Sequence, residues 1–193
     1  AAQVFADKGF FKATVAEIAV LAQVGKGTIY EYVSSKEELL FAVFSQHVQE
    51  AAQQAEQLLS EANGAAAEKL CLMVDTVIMD AMKHIDLYSL SLEFWSAASA
   101  PSLRELFQDA IKNMYVTFRR QLAHQLERGV QCGEFRKDLA IDSLAHCLVG
   151  ALDGLLLQAW LDRDIDPKPM AREFMHCLIR GMTIQDHKNG ETA

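Results

Sequence analysis

Four side chains between residues 26 and 32 carry the most legible chemistry in this sequence: Lys26, Thr28, Tyr30 and Tyr32. They combine hydrogen-bond donors with flat rings on one short segment, a set that suits phosphate oxygens and base edges better than a core. Thr14 and Lys36 flank the segment at two expected helix starts. Catalytic and metal chemistry has thinner support. Glu173-Phe174-Met175-His176 is an ExxH, half of a carboxylate-bridged di-iron site, but no second copy exists to complete it. Asp80/His84 and Asp142/His146 stand four apart and could form one side of a metal site, although isolated pairs at this spacing are usually helix-surface hydrogen bonds. No GxSxG, P-loop or dinucleotide fingerprint occurs. The expectation is a binding protein rather than an enzyme, with no cofactor and no metal.

The elements that position these residues follow from caps and periodicity. Thr14 with Glu17 three residues later is a capping box, which starts a helix running to about Ala22 with Ile18, Leu21 and Ala22 on one face. Gln23-Val24-Gly25 supplies a turn, with Val24 as an apolar plug and Gly25 as an N-cap for a second helix, Lys26 to about Val33. Two short helices joined by a tight turn form a helix-turn-helix. Ahead of it, Ala1–Gly9 has the pattern of a helix end stopped by glycine, and Phe10 and Phe11 are placed to pack against the short helices. The helix begins abruptly, so further residues are expected to precede Ala1. Ser34 and Ser35 followed by Glu37 and Glu38 cap a long helix to about Ser60, with apolar positions at three-and-four spacing.

Beyond Asn63-Gly64, helical patterns occupy Ala65 to about His84, the aromatic-rich Asp86–Ala98, and a long stretch from Pro101 to about Gln131, stopped by Gly133. A helix capped near Asp138 runs to about Leu161, and Asp166-Pro167 opens a last one to Met182. There is no strand pattern. The fold class is therefore all-α: an N-terminal three-helix helix-turn-helix head (1–44) and a larger C-terminal helical domain (45–193).

The 193 residues, 51% of them hydrophobic, suffice for a sizeable core. A net charge of −8 argues at first sight against nucleic acid. Its distribution answers the objection: four lysines against three acidic residues through Lys36 give +1, leaving −9 for the remainder, so DNA is discouraged from touching anything but the head. Cys71, Cys132, Cys147 and Cys177 form no CxxC pair and are expected to be reduced, buried thiols of a cytoplasmic protein. The apolar run Cys147–Leu161 is interrupted by Asp153 and falls short of a membrane span.

The head resembles the TetR family of bacterial transcriptional regulators. The resemblance is carried by Phe5, Gly9, Thr14, Ile18, Ala19, Ala22, Val24, Gly27-Thr28-Ile29-Tyr30, Tyr32, Lys36, Glu38 and Leu39, from Val4 to about Val43. Gly25 stands where the family often has a serine cap, and Glu31 puts a negative charge on the reading helix, to face away from phosphates or to accept from a base donor such as cytosine N4. The resemblance implies a homodimeric repressor on palindromic double-stranded operator DNA, with Thr14, Lys26, Gly27, Thr28, Tyr30, Tyr32 and Lys36 as the DNA-binding set. It implies that the last two long helices pair with their copies, through Leu148, Gly150, Leu152, Gly154, Leu155, Phe174 and Leu178, while Gly150 and Gly154 would equally serve a close backbone contact within one subunit. It also implies a small hydrophobic effector, enclosed by middle helices that offer Met73, Val77, Met82, Tyr88, Glu93, Phe94, Trp95, Phe107, Met114, Tyr115 and Phe118. Glu93, with Asp75 and Asp80, would serve a cationic ligand instead. The reading kept beside this one is a helical protein-interaction adaptor without DNA affinity.

Overall fold

The computed structural model describes residues 1–85 and 104–184. Tyr88, Glu93, Phe94 and Trp95, and the expected helix that carries them, lie outside the described residues. Within them run α1 (Ala2–Lys12), α2 (Val15–Leu21), α3 (Lys26–Tyr30), α4 (Lys36–Glu61), α5 (Ala66–Lys83), α6 (Arg104–Gln131), α7 (Ile141–Leu161) and α8 (Pro167–Met182). The class is all-α, as expected; among the described residues the one ladder contact is an isolated bridge between Phe135 and Thr183.

The local signals explain the helix ends. Thr14 Oγ1 accepts the Glu17 N–H at 3.3 Å and Glu17 Oε2 accepts the Thr14 N–H at 3.0 Å, completing the capping box. Glu38 Oε2 accepts both the N–H and the hydroxyl of Ser34 at 2.6 Å, while Ser35 Oγ accepts the Glu38 N–H. Asp166 Oδ1 accepts the Lys168 N–H at 3.0 Å, with Pro167 in the first turn of α8. Gly133, at φ +74, ends α6 in the left-handed conformation. Gly9 also has positive φ, 72°, but it bends α1 rather than stopping it, and the helix resumes to Lys12. Asp138 does not cap α7: its carboxylate pairs with Arg136 at 2.8 Å, and Ala140 stands at the N-cap without a side-chain bond.

The chain divides into two compact units, Ala1–Leu58 with Met79–Val116, and Leu59–Ile78 with Thr117–Ala193. The core of the first joins Val4, Phe5, Phe10, Ala13, Ile18 and Leu40 to Phe107 of α6, with Leu39, Phe41, Val43 and Phe44 of α4 packed around it. Phe107 meets the Phe41 ring edge-on at 5.6 Å. The helix-turn-helix thus packs on α4 and on the start of α6. Of the expected face of α2, Ile18 turns inward, but its buried companions are Val15 and Ala19; Leu21 and Ala22 face outward. Phe11 is 81% exposed, and only Phe10 of the aromatic pair is buried.

In the second unit Glu134 closes the N-terminus of α5 from a distance in sequence, its two oxygens accepting the N–H groups of Ala66 at 2.7 Å and Ala67 at 2.9 Å. Gly129 is buried where its missing side chain leaves room for the Phe135 ring. The helix α7 is longer than the apolar run suggested. At 21 residues it is long and apolar enough to cross a bilayer by length and composition alone, but Ala145, Leu148, Val149, Leu152, Leu156 and Ala159 are buried within this chain. The cysteines are not the buried set expected: Cys132, Cys147 and Cys177 are exposed. Burial, and secondarily the charge of Asp75, pushes the Cys71 thiol up.

Candidate nucleic-acid interface

The turn before α3 is built from backbone. Gln23 takes a left-handed conformation, φ 57°, so that the Val24 N–H can bond back to the Ala19 carbonyl at 3.0 Å. Gly25 then stands extended at the N-cap of α3. Val24 itself is 42% exposed and does not plug the turn. The helix α3 is shorter than expected and has no fully buried residue. Ile29 packs partly against the first unit's core and Val33 is buried just beyond the helix, so one side of this segment is anchored. The other side is open: Lys26, Gly27, Thr28, Tyr30 and Tyr32 are all exposed, Tyr32 to 81%. The Lys26 ammonium lies 5.7 Å from the Tyr30 ring centre, a cation–π contact that gathers charge and ring on this outer face. Glu31 is exposed beside them.

Thr14 and Lys36 occupy the expected helix starts, but each already has protein partners. The Thr14 hydroxyl accepts the Glu17 N–H and donates to the Glu17 carboxylate at 3.0 Å. The Glu17 carboxyl is held below the usual range first by Lys8, whose ammonium donates to it at 2.7 Å, and then by Thr14. Lys36 Nζ donates to the carbonyls of Phe10 at 2.8 Å, Ala13 at 3.1 Å and, at longer reach, Phe11 at 3.4 Å, and it sits 4.4 Å from the Phe10 ring centre. This lysine closes the C-terminal end of α1 onto the start of α4. Sequence position alone gave no sign of that role, because the acceptors lie more than twenty residues away. Lys12 and Lys26 are the head's exposed lysines with no carboxylate or carbonyl partner among the described contacts.

The expected effector residues that the structure describes differ in burial and fall in both units. Phe107 is core beside Phe5 and Phe10, and Met73 is fully buried. Val77, Met82, Met114, Tyr115 and Phe118 are half-buried. Met73, Val77 and Phe118 belong to the second unit; Met82, Phe107, Met114 and Tyr115 belong to the first. The acidic residues suggested for a cationic ligand have partners: Asp75 receives Arg172 at 3.1 Å, and Asp80 lies between His47 and His84. Of the expected dimer residues, Leu148 and Leu152 are buried inside their own chain, which corrects any direct contact with a partner through them. Gly150 and Phe174 are exposed, and Gly154, Leu155 and Leu178 are half-buried. Among the described residues, nothing lies within 4 Å of Cβ atoms added at Gly150, Gly154 and Gly181. A groove of about 460 Å³ runs along Ser143, Leu144 and Cys147 of α7 and Cys177, Leu178 and Gly181 of α8.

An anchored short helix with an open polar and aromatic face is the geometry of a DNA-reading head. Residues 1–43 match the family described as bacterial regulatory proteins, tetR family, and residues 66–183 match the BetI-type transcriptional repressor C-terminal domain. The chain belongs to the TetR family. It is a helix-turn-helix transcriptional regulator whose C-terminal domain is of the BetI-type transcriptional repressor kind. Among TetR-family relatives, the fatty acid metabolism regulator protein of Bacillus subtilis is 25% identical over 190 residues, 94% of this chain and 91% of that one. The HTH-type transcriptional repressor DhaR of a Mycobacterium species is 22% identical, covering 86% of this chain and 81% of that one. The fold recurs in a TetR transcription regulator from Haloarcula marismortui, TM-score 0.83 at 20% identity, covering 94% and 93% of the two chains. It recurs also in a Bacillus subtilis regulator FadR solved in complex with stearoyl-CoA, TM-score 0.77 at 24% identity, covering 94% and 95%.

Proposed function

We propose that this TetR-family regulator acts in the cytoplasm as a homodimer, reads a palindromic operator through the open face of α3, and leaves it when a long-chain acyl ligand binds. The observation that carries the DNA reading is the two-sidedness of α3, anchored by Ile29 and Val33 and uncovered at Lys26, Thr28, Tyr30 and Tyr32. Lys26 and Thr28 address base edges, and the tyrosines press rings and hydroxyls onto the sugar-phosphate chain. Thr14 and Gly27 bring backbone close to phosphate. The two heads of a dimer enter successive major grooves with centres ~34 to 36 Å apart.

The dimer reading rests on α7 and α8. A glycine inside a helix costs ~1 kcal/mol relative to alanine, and among the described residues nothing lies within 4 Å of a Cβ added at Gly150 or Gly154 to account for them. Close approach of a second copy accounts for both, with Leu155, Phe174 and Leu178 around the contact and the buried Leu148 and Leu152 supporting it from beneath. The same contact covers the apolar side of α7 that faces away from its own core.

An acyl ligand is favoured over a cationic one because Asp75 and Asp80 already have cationic or imidazole partners, and because the Bacillus subtilis relative regulates fatty acid metabolism by name. Ligand binding lowers operator occupancy only through its preference for a dimer whose heads no longer match the DNA repeat, and a coupling of ~1 to 3 kcal/mol suffices for a switch. The test is fluorescence anisotropy on a palindromic duplex recovered by in vitro selection, with stearoyl-CoA added at fixed salt. Operator affinity falls by about 5- to 150-fold if this reading holds; stearoyl-CoA that binds and leaves operator affinity unchanged refutes it.

A further inference from the structure

We infer that His47 of α4, with Asp80 of α5 and His84 just past its end, forms a binding site for one divalent first-row transition ion of the zinc class. All three residues lie in the first unit and are half-buried. One ligand atom from each lies within 4.8 Å of the others. His47 Nε2 stands 3.5 Å from Asp80 Oδ2, and His84 Nδ1 stands 3.3 Å from Asp80 Oδ1. The two rings meet edge-on, centroids 5.1 Å apart at 77°.

These separations decide between two explanations. Charge-assisted hydrogen bonds between imidazole and carboxylate close to about 2.7–2.9 Å, which neither contact reaches. Ligands held about 2.0–2.1 Å from a tetrahedral zinc ion lie roughly 3.3 Å from one another, close to both distances. Two imidazoles and a carboxylate are borderline ligands suited to zinc, cobalt or nickel, and they leave coordination positions for water. The spacing of Asp80 and His84 presents both from one side of α5, and His47 arrives from another helix, so a bound ion ties α4 to α5 directly. His84 Nδ1 also lies 3.1 Å from the Asp80 carbonyl. An ion on Nδ1, the atom whose spacing from Asp80 fits, replaces that contact. The other pair at this spacing lacks the third residue: His146 Nδ1 lies 2.7 Å from the Asp142 carbonyl, and no further ligand joins it among the described residues.

The site stands on this geometry alone and does not rest on the regulatory reading. The test titrates the chelator-stripped full chain near neutral pH with Co²⁺, then displaces it with Zn²⁺. The expected result is one saturable Co²⁺ per chain with visible d–d bands and no near-ultraviolet thiolate charge-transfer band. The unfolding midpoint then rises with Zn²⁺ concentration, and binding weakens as pH falls because protons compete for the imidazoles. His47→Gln and His84→Gln, each first checked by circular dichroism for native helix content, weaken binding by about tenfold or more, and His146→Gln leaves it unchanged. Three results overturn the assignment: no saturable binding, as expected if Asp80 merely bridges two histidines; unchanged affinity in both folded variants; or a thiolate band, which moves the ion to the exposed cysteines.

Discussion

Lys36 and Lys26 offer a paired test of how this head is built, because both were expected to meet DNA and the structure gives them different surroundings. Lys36→Met keeps the aliphatic stem and removes the ammonium. It deletes two good charge-assisted hydrogen bonds, to Phe10 at 2.8 Å and Ala13 at 3.1 Å, with a longer one to Phe11. It also deletes a cation–π contact at 4.4 Å. Hydrogen bonds to a charged group contribute about 1.5–3 kcal/mol each and a cation–π contact about 0.5–1 kcal/mol. Partial exposure of the ammonium reduces these values, so the loss is put at about 2–4 kcal/mol. Lys26→Met removes an exposed charge and costs less than about 0.5 kcal/mol. DNA binding separates the two in the opposite sense. Each phosphate neutralised by a lysine contributes ~0.9 to the slope of log affinity against log salt, so a phosphate lysine lost from both heads flattens that slope by ~1.8; Lys26, at a base edge, instead costs ~1–3 kcal/mol of operator affinity per head when lost and relaxes specificity there. Lys36→Met weakens binding only as far as the head unfolds and leaves the slope of the folded fraction unchanged. Denaturant unfolding with amide exchange on α1–α3 reads the first quantity, and anisotropy across a salt series reads the second. A Lys36→Met chain of unchanged stability whose salt slope drops by ~1.8 would refute the reasoning and return Lys36 to the phosphate backbone.

Glu17 and Glu38 both have lowered carboxyl pKa values, Glu17 mainly through Lys8 and Glu38 through the Ser34 hydroxyl and then its N–H. A lowered folded value adds stability above the unfolded carboxylate range, ~4.3, that is lost as pH falls through the folded value. The head therefore loosens in acid, and Glu38→Gln flattens that dependence in melts between about pH 5 and 2; an unaltered acid slope contradicts the role given to this cap. Gly129→Ala drives a methyl into the Phe135 ring and lowers stability by about 1–3 kcal/mol, measured by urea unfolding; an unchanged midpoint means that Phe135 moves aside freely. Gly154→Leu leaves the protomer's stability close to native, since among the described residues nothing lies within 4 Å of a Cβ added there. It weakens the dimer in sedimentation, and an intact dimer moves the interface elsewhere.

What the sequence disclosed was local. Thr14 with Glu17, Ser34 with Glu38, Asp166 before Pro167 and Gly133 after α6 each act within four residues, and the structure keeps all of them. The open face of α3 was legible for the same reason, as donors and rings in a five-residue helix too short to bury them. Long-range partners were not legible. Phe107 has the look of any aromatic on a helical stripe, and only the fold takes it into the core of the head. Glu134 caps a helix more than sixty residues upstream, and His47 completes a pair that looked ordinary by itself. The resemblance likewise did not separate the two sides of α7, where Leu148 and Leu152 follow the same spacing of four as Gly150 and Gly154 but turn to the opposite side. Apolar spacing marks a buried face without saying whether its own chain or a second copy buries it.

The central claim is a dimer that places two α3 helices in successive major grooves, and half-site spacing tests it most directly. The full chain is titrated against a selected palindromic duplex and against versions with about 5 and about 10 base pairs inserted at its centre, at one salt concentration. One DNA turn is about 10–10.5 base pairs, so the account predicts tight binding at the selected spacing, loss of about the whole specific increment with a half-turn insertion, and at best partial recovery with a full turn. Binding indifferent to the insertion would contradict it.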